Sequence, residues 1–110
     1  MLLQKIIEGI EIVQGKEISI FNLKERDNFV CDYFVVCSGS TKNQVHAIFR
    51  SIQEITIEEL KEKPWHVEGL KNGEWILMDY VSIVVHIFQK KARNYYNIEQ
   101  IWKKNGTVYI

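Results

Sequence analysis

Tyr33-Phe34-Val35-Val36-Cys37-Ser38-Gly39-Ser40-Thr41 is the stretch that decides how this chain folds. Residues 33–37 are apolar without a break, the pattern of a strand buried on both faces rather than one that alternates between core and water. The run ends in small hydroxyl and glycine residues, after which Val45, Ile48, Phe49, Ile52 and Ile55 recur at helical spacing. A strand therefore passes directly into a helix, with Ser40 or Thr41 accepting from the first free amides as N-cap. The helix is expected to run on toward Lys61, with Ile57 and Leu60 able to pack inward, and Pro64 marks its end or the start of the next strand.

Upstream, Leu2, Leu3, Ile6, Ile7, Ile10 and Val13 form one apolar stripe on an opening helix, with Gly15 placed to terminate it. Ile18, Ile20 and Phe21 to Leu23 then read as a strand with partial alternation, and the polar residues from Lys24 to Asn28 as a turn. Downstream, Trp65-His66-Val67-Glu68-Gly69 reads as a short strand. Asn72-Gly73 suits a type I′ hairpin turn. Trp75-Ile76-Leu77-Met78-Asp79-Tyr80 and Ile83-Val84-Val85-His86-Ile87-Phe88 follow as adjacent strands, and Arg93 to Trp102 has weak helical character. The order helix, strand, strand, helix, strand, strand, strand, helix predicts an α/β (α+β) fold, a mixed sheet of about five strands with covering helices.

With 110 residues the whole chain, 1–110, is expected to be one domain. Lys plus Arg equals Asp plus Glu at 14 each, so no net field draws it to nucleic acid or to a membrane, and neutrality favours self-association. Cys31 and Cys37 are its two cysteines, too few and wrongly spaced for a disulfide framework or a CxxC motif, which suits a reducing, cytoplasmic setting. Charges interrupt the first residues, and no apolar run of about 18 residues occurs, so neither a signal peptide nor a membrane span is expected.

Chemistry has few footholds. Ser38-Gly39-Ser40 stands where α/β proteins often bind phosphate, but it has one glycine rather than the spaced glycines of a phosphate loop, and helix capping explains it. His46, His66 and His86 lie far apart and lack the close ligand pair that metal sites use. Asp79 ends an apolar strand, the place where a nucleotidyltransfer enzyme holds magnesium. Position 81 is Val, however, so the second carboxylate of a two-metal clamp is missing. The expectation is no catalytic residue, no metal and no cofactor, with Asp79 fixing a turn or accepting a bond from a partner. Lys90, Lys91, Arg93, Lys103 and Lys104 beside Tyr95, Tyr96 and Trp102 form a mixture able to touch RNA. The excess of aromatics between Trp75 and Trp102 points instead to a protein-binding surface.

These residues also resemble a known family. Asp32-Tyr33-Phe34-Val35-Val36-Cys37-Ser38-Gly39-Ser40 with Gln44-Val45 and Ala47-Ile48 is similar to the ribosomal silencing factor, or Iojap-like, family. Glu68-Gly69, Trp75 to Tyr80, Val84 to Phe88, Arg93, Tyr96 and Ile98-Glu99 with Ile101-Trp102 extend the likeness over nearly the whole chain. The resemblance implies a fold related to nucleotidyltransferases without their catalysis. It also implies binding to the large (50S) ribosomal subunit through ribosomal protein L-fourteen, which blocks joining of the small subunit and lowers translation under starvation. Organelle relatives act in large-subunit assembly, and homodimers are common in the family. Carried over by position, the resemblance implies partner contacts at Trp75, Ile76, Leu77, Met78, Asp79, Tyr80, His86, Phe88, Arg93 and Tyr96.

One departure matters. The family has Gly-Asp after its Asp-Tyr, whereas this chain has Val81-Ser82. A positive φ is costly for a β-branched residue, so the turn is expected to be reshaped here. On a strand Trp75, Leu77 and Asp79 point one way and Ile76, Met78 and Tyr80 the other, and the alternation leaves open which set is bare.

Overall fold

The run at Tyr33–Cys37 becomes an inner strand of a mixed sheet. A computed structural model describes residues 1–24, 31–100 and 107–109. Along the chain come α1 (Leu2–Ile12), β1 (Lys16–Asn22), β2 (Tyr33–Gly39), α2 (Lys42–Leu60), β3 (His66–Glu68), β4 (Trp75–Asp79), β5 (Ile83–Gln89), α3 (Lys90–Tyr96) and β6 (Thr107–Tyr109). The expected five strands are all present, and β6 adds a sixth at one edge, giving the order β3-β4-β5-β2-β1-β6. β2 and β5 run parallel, with Val36 opposite His86, and the other neighbours are antiparallel.

Both faces of the middle strands are covered, which is why their sequences do not alternate. One face meets α1 and α2. Ile6, Ile10, Val45, Ile48 and Ile52 pack there against Val35, Cys37, Ile76, Met78, Val85 and Ile87, and all are buried. The opposite face gathers Phe21, Leu23, Cys31, Val36, Phe88 and Ala92, with Phe34, Trp75, Val84 and Ile98 at its margin.

Local chemistry explains most boundaries. Thr41 caps α2, its Oγ1 accepting the Gln44 N–H at 3.1 Å, while the Gln44 side chain accepts the Ser40 N–H at 2.8 Å. The helix ends at Lys61, whose φ of 57° is left-handed, before Pro64. Ile57, which could have packed inward, is 41% exposed. The inward position next to it belongs to Thr56, whose hydroxyl meets the Tyr80 hydroxyl at 2.8 Å.

Three other expectations are corrected. The left-handed residue after α1 is Gln14 at φ 61°, not Gly15. α3 begins at Lys90, ahead of Arg93, directly after β5. The β3–β4 connection is not a two-residue type I′ turn, which requires positive φ at both central residues. It is a wider loop closed by the Gly73 N–H donating to the Gly69 carbonyl at 3.0 Å, with positive φ at both glycines. The expected turn at 24–28 and the aromatic Trp102 with Lys103 and Lys104 fall mainly or wholly outside the described residues. Among the described residues no helix is long and apolar enough to cross a membrane.

Candidate functional site

β4 resolves the question its alternation leaves open. Ile76, Met78 and Tyr80 are buried under the helices, and Trp75, Leu77 and Asp79 lie half-buried on the opposite face. The expected contact residues therefore divide. Ile76, Met78 and Tyr80 belong to the core and are withdrawn from a docking surface, because a strand cannot present both faces while one is packed. Trp75, Leu77 and Asp79 remain on the outer face and are joined there by residues of β5 and α3.

The outer face is ring upon ring. Trp75 stacks on Phe88 with centroids 4.8 Å apart and meets Tyr96 at 5.0 Å. Phe34 stands edge-on to His86 at 5.0 Å, and Tyr95 edge-on to Tyr96 at 5.2 Å. Offset and edge-on contacts of this kind add to the burial of each ring. The register explains the layout: Trp75 lies opposite Phe88, Leu77 opposite His86 and Asp79 opposite Val84.

His86 and Phe88 are buried beneath this surface rather than exposed on it. His86 accepts the Trp75 indole N–H at Nδ1, 3.1 Å away, and burial lowers the imidazole to about 4, so it is neutral at ordinary pH. With Nδ1 accepting, the proton sits on Nε2. Among the described residues that atom is buried without a hydrogen-bond partner, so the imidazole is satisfied on one side only.

Arg93 is also buried. Its guanidinium donates to both Glu99 carboxylate oxygens, at 2.6 and 2.9 Å, to the Glu17 carbonyl at 2.6 Å and to the Ser38 hydroxyl at 2.8 Å. Such a fork suits arginine and ties α3 to β1 and β2, so Arg93 holds the outer layer in place. Tyr96, at the end of that helix, is exposed beside Trp75.

The turn after β4 keeps the geometry that the sequence was expected to avoid. Val81 has φ 75°, and the Ser82 N–H donates to the Tyr80 carbonyl at 2.9 Å, the rare γ-turn with a positive central φ. The Asp79 carboxylate accepts the Val81 N–H at 2.7 Å and so holds the strained residue. Asp79 thus fixes a turn, one of the two roles anticipated for it. Held this way, Val81 is thrust into solvent.

Trp65 was missed as a surface residue. Read as the first residue of a strand, it stands just before β3 and is 78% exposed. Its backbone N–H donates to the Asp79 carbonyl at 2.7 Å, fixing the edge strand beside β4. Trp65, Asp79, Val81, Val84 and Cys31 line a shallow depression of about 260 Å³ that continues the aromatic surface.

Several side chains of the rival sites have other partners. Among the described residues no three His, Cys, Asp or Glu side chains gather to hold a metal ion. His46 on α2 turns its ring nitrogens to the Lys42 and Leu70 carbonyls, and His66 pairs with Glu68 at 2.9 Å. At the end of β2, the Ser40 hydroxyl and the Gln44 amide are engaged in capping, and the buried Ser38 accepts from Arg93. Burial pushes the Cys31 and Cys37 thiols up to about 11 and 12, which removes thiolate reactivity at neutral pH.

The fold and this surface define a mixed α/β protein with helices packed over one sheet face and a cluster of aromatics on the other. The chain belongs to the ribosomal silencing factor family: the family described as "Ribosomal silencing factor during starvation" matches residues 1–109. Ribosomal silencing factor RsfS of Halalkalibacterium halodurans is 31% identical over 109 residues, covering 99% of this chain and 92% of that protein. A crystal structure of a Chromobacterium violaceum protein matches with a TM-score of 0.84 at 29% identity, covering 93% of this chain and 83% of that one. The mouse protein named "Mitochondrial assembly of ribosomal large subunit protein 1" is 27% identical over 73 residues, 64% of this chain and 32% of its own length.

Proposed function

We propose that this protein silences ribosomes by docking its outer sheet face on the large (50S) ribosomal subunit, through ribosomal protein L-fourteen, and blocking small-subunit joining by bulk. Family membership supplies the ribosome, and one structural observation carries the choice of surface: Trp75, Leu77 and Tyr96 stand accessible on the face that α1 and α2 leave uncovered. Aromatics over a packed base are the usual makings of a binding hot spot. A steric blocker has no transition state to stabilise, so no enzymatic activity, cofactor or metal is part of this reading. Residues 1–110 act as one unit in the cytoplasm, and repression of translation during starvation is the physiological output.

Two lesser elements complete the proposal. Lys90 and Lys91 flank the docking face on α3 and give it incidental contact with ribosomal RNA, a term that weakens with salt. A homodimer is the form taken by the free protein, in keeping with its zero net charge. The name of the mouse relative favours a second role in large-subunit assembly, which uses the same docking and differs in when it occurs.

Co-sedimentation with purified large subunits tests the docking. Trp75→Glu is expected to remain folded and to lose about 2 kcal/mol of binding or more, as hot-spot aromatics do. Unchanged co-sedimentation would remove this face from the interface. A subunit-joining assay then separates silencing from assembly, because the silencing reading requires joined ribosomes to fall as protein is added.

A further inference from the structure

Trp75 is half-buried, and its single polar side-chain atom is already used, since Nε1–H donates to His86 Nδ1 at 3.1 Å. His86 is 5% exposed, so the indole edge that carries the N–H points into the protein. What Trp75 shows to a partner is carbon alone. Phe88 stacks on the indole and Tyr96 meets it at a tilt, which fixes where the ring lies but allows either edge to face outward. The hydrogen bond to His86 removes that freedom.

The arrangement carries a cost that argues against simple filling. His86 sits among Phe34, Phe88 and Trp75, with Leu77 and Val36 as its cross-strand neighbours. In these surroundings its Nε2–H finds no hydrogen-bond partner among the described residues. A buried donor left so costs free energy that an aliphatic or phenyl side chain would avoid. A histidine here is useful for what Nδ1 does, not for how the ring packs.

We infer that His86 is a positioning residue that turns the polar edge of Trp75 inward, so that the docking face presents an apolar ring edge and selects an apolar partner group there. A carbonyl or carboxylate placed against that edge would lose its water and gain no donor, so partners offering one are rejected. The inference rests on the docking reading above and adds to it which residue sets the chemistry of the contact.

The test compares His86→Asn with His86→Leu. The Asn side-chain oxygen falls where Nδ1 was and still accepts from the indole, whereas Leu fills space without an acceptor. Two measurements are made on each. One is the exchange protection of the Trp75 indole N–H by NMR, assigned through its loss in Trp75→Phe. The other is affinity for purified large subunits.

His86→Asn is expected to keep both. His86→Leu is expected to lose the protection and about tenfold in affinity, the size of one ordinary hydrogen bond. Full protection or full affinity in a folded His86→Leu overturns the inference. Should His86→Leu not fold, the wild-type nitrogen spectrum decides, since a proton on Nδ1 contradicts it and a proton on Nε2 supports it. The docking reading fails separately, if Trp75→Glu itself binds normally. Loss of binding in Trp75→Glu with none in His86→Leu sinks the positioning role alone.

Discussion

The two faces of the sheet come from the same strands and are built of different materials. Under α1 and α2 the side chains are almost all aliphatic, and most are buried. On the opposite face Phe21, Phe34, Trp75 and Phe88 stand among smaller apolar residues, and they are interleaved with His86, Ser38, Arg93 and Asp79. Aliphatic residues fill a closed core in many combinations, as long as volume and pattern are kept. The aromatic face depends on specific bonds, the Trp75 indole to His86 and the Arg93 fork to Glu99, Ser38 and Glu17. One face holds the protein together, and the other has its shape set in advance.

Exchanging the material of the two faces gives the largest expected effect. Met78→Glu puts a carboxylate into the core without a partner and is expected to abolish the cooperative unfolding transition. Its cost, above about 4 kcal/mol, is comparable with the whole stability of a small domain. Leu77→Glu, one residue earlier on the outer face, is expected to unfold within about 1 kcal/mol of wild type. Circular dichroism against denaturant compares the pair, and equal losses would erase the distinction between the faces.

Arg93 comes next. Arg93→Ala removes the bonds from α3 to Glu17, Ser19 and Ser38 and leaves a largely buried carboxylate at Glu99 without its guanidinium. A loss of about 3–5 kcal/mol is expected in urea unfolding. Arg93→Lys keeps the charge without the fork and should recover only part of it.

His86 marks the outer face by its pH response. Well above pH 6.5 it is neutral in both the folded and unfolded chain and contributes no slope. As pH falls from 6.5 toward 4, the unfolded state takes up a proton that the folded state refuses, so stability drops by up to about 3 kcal/mol. His86→Asn should remove that part of the slope between the same limits. An identical slope in wild type and variant would show that another group carries it.

The smallest effect is at the turn. Val81 holds φ 75° only because Asp79 and the Tyr80–Ser82 bond fix it there. Val81→Gly relieves that strain and adds freedom to the unfolded chain, for a net gain of about 1 kcal/mol in thermal unfolding.

Much of this was legible in the residues and some was not. The unbroken run Tyr33–Cys37 and the spacing of Val45, Ile48, Phe49, Ile52 and Ile55 announce β2 and α2, because burial on both faces and on one helical face leave different periods. The bare side of β4 was not readable, since Trp75-Leu77 and Ile76-Met78 are equally apolar and the helices alone decide between them. Arg93 looks like a surface cation in the sequence. Its fork is shared between Glu99, six residues on, and Glu17, Ser19 and Ser38, partners that lie more than fifty residues away. The Asn72-Gly73 signal was real as a turn and wrong as a type, because Gly69 extends the loop. For Val81 the steric rule pointed one way and the Asp79 carboxylate settled the other.

The central claim is that the aromatic face docks and the helical face does not. Hydroxyl-radical footprinting with and without purified large subunits tests it most directly. Trp65, Trp75 and Tyr96 probe the docking face, and the exposed Ile12 and Ile57 on the helices serve as controls. Large subunits are expected to protect the three aromatics and to leave both isoleucines labelled as before. Protection of Ile12 and Ile57 with undiminished labelling of Trp75 and Tyr96 would contradict the account.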